Sequence, residues 1–97
     1  MDRRERIEAR LREAFAPLAL EVVDDSARHR GHAGAASGGG HYRVIVVSER
    51  FRGLARVERH RMVYEALAGE LRQEIHALEL NARYPDEPAG QAKGADE

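Results

Sequence analysis

Five histidines and no cysteine set the chemistry open to this 97-residue chain. The lack of cysteine excludes disulfides, a thiol nucleophile and any self-contained thiolate metal site, and leaves imidazole as the leading metal ligand. His29 and His32 lie in a glycine- and alanine-rich stretch. His41 opens an apolar run, His60 stands between Arg59 and Arg61, and His76 falls where a helical pattern gives way to an extended one. A histidine at an element boundary reaches solvent while the core holds its backbone. Taken singly, His76 reads best as an imidazole capping the core edge, and His29 and His32 as solvated loop residues. His41 reads as a cross-strand packing residue, with an accessory ligand role left open, and His60 as packing or hydrogen-bonding within its helix. A zinc site built from His29, His32 and His76 also stays open. No Asp/Glu–His motif of catalytic spacing, Walker loop, nucleophile–base pair or dinucleotide fingerprint accompanies these residues, so the expectation is a protein that is not an enzyme.

The second constellation is basic. Arg50, Arg52, Arg56, Arg59 and Arg61 gather around the start of a long helical pattern, where the helix dipole also favours phosphate. All but one of the sixteen basic residues are Arg, the side chain that grips phosphate and carboxylate in a planar fork. Glu49 and Glu58 offset the patch, and the seventeen acidic residues bring the net charge to −1. That balance argues against a generic nucleic-acid or membrane binder and leaves Arg56, Arg59 and Arg61 as candidate phosphate contacts.

The elements that must hold these groups follow from the apolar pattern. Ile7, Leu11 and Phe15 form one stripe on a helix over residues 2–15, with Asp2 and Glu5 spaced as a capping box and Pro17 ending it. A first strand is expected over 18–24, then a loop over 27–40 that is long for a compact domain. Residues 41–48 give the clearest strand, apolar on both faces and therefore central, pairing antiparallel with the first. Phe51 anchors the connection at 49–53. One long helix is expected over 55–73, with Val57, Tyr64, Leu67 and Leu71 on one side and Val63 adjoining. In a last strand over 75–83, His76, Leu78, Leu80 and Ala82 form the inward set. Residues 1–85 make one domain, and 86–97 a disordered tail. The order αββαβ implies a two-layer α+β fold, a three-stranded mixed sheet with helices on one face. The longest wholly apolar run is 44–47, and the N-terminus lacks the apolar core of a signal peptide, so no membrane span and a cytoplasmic location are expected.

In order, Leu20-Glu21-Val22-Val23-Asp24-Asp25-Ser26, a histidine-bearing loop, His41-Tyr42-Arg43-Val44, Val46-Val47-Ser48, Phe51-Arg52-Gly53, Arg59-His60-Arg61-Met62-Val63-Tyr64 and Ile75-His76-Ala77-Leu78 resemble the BolA family. The match spans residues 5 to 85, and its specificity lies in the ordered combination. The resemblance implies a fold similar to the class II KH domain. It also implies partnership with a monothiol glutaredoxin through a shared [2Fe–2S] cluster, in iron–sulfur cluster trafficking or iron regulation. The family's ligand at the start of the last strand maps to His76. Its loop ligand maps to His32, counting back from His41, or to His29, counting forward from Asp24-Asp25-Ser26, with His32 preferred.

Such a cluster takes about four ligands, normally cysteine thiolates, with histidine replacing two in Rieske-type sites. Two imidazoles leave it incomplete, so a partner's cysteine and its bound glutathione must supply the rest. Imidazole ligation would also be pH-sensitive, because protonation near pH 6.5 competes with the metal. The alternative reading is a KH-like transcriptional regulator that binds DNA. Against it, the only G-x-x-G spelling, Gly31 to Gly34, falls between strands rather than between helices. Whether the free protein forms a homodimer stays open.

Overall fold

The computed structural model describes residues 2–25, 40–73 and 75–88, and of Gln73 and His76 the backbone alone. Helix α1 (Arg3–Phe15) starts where expected. Asp2 accepts from the Glu5 N–H at 2.8 Å and Glu5 accepts from the Asp2 N–H at 2.9 Å, closing the capping box. Ile7, Leu11 and Phe15 are its buried stripe, and Ala16 ends it in the left-handed region at φ 46°.

Strands β1 (Ala19–Asp24), β2 (Gly40–Val47) and β3 (Ile75–Arg83) form one sheet in that order. β2 is central, antiparallel to β1 and parallel to β3. Tyr42, Val44 and Val46 are buried against the helices, whereas Arg43, Ile45 and Val47 line a half-open face. The period of two thus sorts β2 into a core side and an outer side.

Ser48 ties three elements together. Its hydroxyl donates to the Phe15 carbonyl at 2.7 Å and accepts from the Arg50 N–H at 3.1 Å. The 3-10 turn Glu49–Phe51 then buries Phe51 completely, its ring 5.0 Å from that of Phe15. Gly53 turns the chain at φ 82°, a conformation costly for any side chain.

The single helix expected over 55–73 is two, α2 (Arg56–Ala66) and α3 (Ala68–Gln73). Leu67 between them has φ −104° and ψ 17°, yet the ladder is carried across. Leu67 N–H donates to Val63 O and Leu71 N–H to Leu67 O. Gly69, a weak helix former, sits just past the break. The expected buried side is partly rotated. Leu67 and Val63 are buried and Leu71 half-buried as expected, but Val57 and Tyr64 are exposed, and the inward line is Arg59, Val63, Leu67 and Glu70. Two charged residues lie on that line because each has a partner: Glu70 pairs with Arg10 at 3.2 Å, and Arg59 with Glu87 at 2.8 Å.

Glu87, two residues past the expected boundary at 85, is packed against the sheet and helix. Its carboxylate accepts from the Arg59 guanidinium and the Tyr84 N–H, and its carbonyl from Arg83, so this turn belongs to the packed body. Residues 89–97 of the expected tail lie outside the described residues. Among the described residues no helix is long and apolar enough to cross a membrane.

Candidate functional site

The expected ligand on β3 sits at an irregularity of the sheet. Gly40 pairs with Ile75, but the next residue of β2, His41, pairs with Ala77. His76 is therefore the inserted residue of a β-bulge, opposite no residue of β2. Bulges recur beside functional sites, where the local bend and added twist re-aim a side chain. The insertion also breaks the expected alternation. Ile75 is buried and Ala77 exposed, so Ile75, three residues before Leu78 rather than two or four, joins the core side of Leu78, Leu80 and Ala82. Nothing in a period-two reading of the sequence marks the extra residue.

The rim around this bulge is built by residues the histidine pattern did not point to. Gly40 is required by close approach. A Cβ there would overlap the Tyr42 ring and lie 2.7 Å from Arg3 Nη1. Tyr42 is buried, and burial together with the nearby Asp24 carboxylate raises its phenol pKa, with the Arg3 hydrogen bond opposing. On the outer face Arg43 bridges two strands, donating to Asp25 at 3.0 Å and lying 3.5 Å from Glu79. The Asp25 N–H donates to the His41 carbonyl at 2.7 Å. A shallow cleft of about 250 Å³ lies here, lined by Asp25, His41, Tyr42, Ala77, Leu78 and Glu79.

His29 and His32 lie outside the described residues, as does the Gly31 to Gly34 spelling. The residues that flank their segment are described. Asp25 and Gly40 both stand at this rim, one bonded to His41 and the other paired with Ile75. The chain therefore leaves and rejoins the sheet beside the bulge that holds His76. Among the described residues no three His, Asp or Glu side chains are grouped to hold a metal ion. The donor set fits a cluster only as a partial contributor, through imidazole nitrogen, with thiolates drawn from elsewhere.

The candidate phosphate contacts differ in burial. Arg59 is buried and committed, donating to the Leu54 carbonyl at 2.9 Å, the Ala82 carbonyl at 3.0 Å and the Glu87 carboxylate at 2.8 Å. As a phosphate contact it is corrected to a structural clamp. Arg52 is forked onto Glu49 and Arg50 donates to the Ala14 carbonyl. Arg61 is exposed and Arg56 half-buried. His60 packs within the helix as expected, 6.3 Å from the Tyr64 ring, its pKa lowered by burial and by Arg56 and Arg59.

Comparison with known proteins agrees with the geometry. The family model for BolA-like protein matches residues 11–87. The chain is 53% identical over 78 residues to the DNA-binding transcriptional regulator BolA of Escherichia coli K12, covering 80% of this chain and 71% of that protein. It is 44% identical to BolA-like protein 1 of Mus musculus, covering 81% of this chain and 56% of the relative. Among solved structures it superposes on the BolA domain of SufE1 from Arabidopsis thaliana with a TM-score of 0.78 and 38% identity, covering 91% of this chain and 98% of that domain. The three-stranded mixed sheet is the one expected from the sequence, with the expected second helix divided in two, and the chain belongs to the family of BolA-like proteins.

Proposed function

We propose that this protein shares a [2Fe–2S] cluster with a monothiol glutaredoxin, contributing His76 and a loop histidine, in iron–sulfur cluster trafficking or iron regulation. The supporting observation is the rim itself. The bulge carrying His76 adjoins both anchors, Asp25 and Gly40, of the segment that contains His29 and His32. His32 is the preferred loop ligand and His29 the alternative. The partner's cysteine and its glutathione supply the thiolates this chain lacks. The cluster, when bound, supplies electron storage and a transferable iron–sulfur unit. This chain's part is to present neutral imidazole at a fixed rim. Co-expression with a monothiol glutaredoxin is expected to give a coloured heterodimer whose visible spectrum changes in His32→Ala. A change confined to His29→Ala would reassign the loop ligand, and a colourless pair would remove the proposal.

A second reading is DNA binding in transcriptional regulation, favoured by the name of the Escherichia coli relative. With Arg59 withdrawn, Arg56 and Arg61 remain to carry phosphate contacts. Affinity for duplex DNA would then fall steeply with salt, and replacing both arginines would flatten the slope by about two counterions. Binding indifferent to salt and to both substitutions would remove this reading.

A further inference from the structure

The outer edge of β3 carries an open ladder of defined length. The Ser48 N–H donates to the Arg83 carbonyl, so in this parallel pair Arg83, Asn81, Glu79 and Ala77 turn their main-chain groups toward β2. Ala82, Leu80 and Leu78 turn theirs outward. Arg59 takes the outward Ala82 carbonyl, and the bulge interrupts the strand at His76. Bulges and side-chain caps are the ordinary guards of a sheet edge. Here they close both ends and leave the N–H and C=O of Leu78 and Leu80 without a partner among the described residues. The side chains of Leu78, Leu80 and the neighbouring Leu71 are only half-buried.

We infer that this edge accepts an extended segment of a partner chain as a fourth strand, apolar on the helix side and basic opposite Glu79. About four main-chain hydrogen bonds to Leu78 and Leu80 would fix it in register. Its apolar side chains would finish burying Leu78 and Leu80. Glu79 is 76% exposed and holds Arg43 only at 3.5 Å, leaving room for a second cation. The same charge disfavours a second copy of this chain as the guest. Antiparallel self-pairing through both leucines would set Glu79 directly against its own copy, and like charges facing across strands are destabilising. The edge begins at His76, so a strand docked here would run alongside the proposed ligand; its identification with a glutaredoxin segment rests on the shared-cluster reading.

The test is amide hydrogen exchange on the full chain, free and in complex with a monothiol glutaredoxin and glutathione, beside the affinities of Glu79→Lys and of Glu21→Lys on the opposite edge strand. Complexation is expected to slow the Leu78 and Leu80 amides about tenfold or more. Glu79→Lys should weaken the complex about tenfold and Glu21→Lys should leave it unchanged. A coloured complex with these amides unprotected would overturn the edge assignment and leave the shared cluster standing, whereas no complex at all would overturn both. Protection that instead rises with the protein's own concentration, without partner, would overturn it in favour of self-pairing.

Discussion

Arg59 donates to two backbone carbonyls and to Glu87, with the two side chains only 10% and 6% exposed. Truncating it to Ala strands a buried carboxylate and two carbonyls. The expected loss is about 3 kcal/mol, read as a lower urea midpoint. Burial alone would raise the Glu87 carboxyl, but Arg59, the Tyr84 N–H and Arg83 outweigh it and hold the pKa below the ordinary 4.5. A depressed carboxylate pKa stabilises the fold above the unfolded value, and that contribution is lost as pH falls through the folded one. Glu87→Gln should therefore flatten the stability profile below about pH 4.5. The His60 pKa is lowered from 6.5, so its protonation favours the unfolded chain. Stability is then lost as pH falls from about 6.5 toward the folded value, and His60→Gln should remove that segment of a urea-midpoint titration. The packing of His60 was legible in the sequence, but the role of Arg59 was not. A run of arginines at a helix start has the same spelling whether it faces phosphate or reaches back to a carbonyl and a carboxylate 28 residues on.

At the scale of elements, the capping box, the antiparallel pair and the central β2 follow from spacing alone, because each depends on neighbours in sequence. The bulge does not. His76, Leu78, Leu80 and Ala82 alternate without flaw in the sequence, and only pairing with Gly40 and His41 shows the inserted residue. The turned face of α2 escaped for a related reason: hydrophobic periodicity counts Arg59 and Glu70 as solvent-facing, although their partners draw them inward. Gly40 supports the rim against β3 through contacts with Tyr42 and Arg3 that any Cβ would disturb. Gly40→Ala should cost about 1–3 kcal/mol, visible as a lowered Tm, from overpacking at the Tyr42 ring. It should also shift the backbone amides of Ile75 and Ala77 in an NMR spectrum, because Gly40 is the strand partner beside the bulge. An unchanged Tm together with unmoved Ile75 and Ala77 resonances would show that the rim does not depend on that close approach.

The whole molecule is one sheet, half-open on its outer face, with its core on the helix side and a rim where β2 and β3 begin. The chain brings imidazole and no thiolate, so on the proposed reading a partner completes the cluster. The measurement that bears most directly on this is the visible and circular dichroism spectrum of the complex purified with a monothiol glutaredoxin and glutathione, compared between the natural chain and His76→Ala. Loss of an imidazole ligand should shift the iron–sulfur absorption bands and lower the reduction potential of whatever cluster remains. Superposable spectra and an equal potential in the two complexes would contradict ligation by His76.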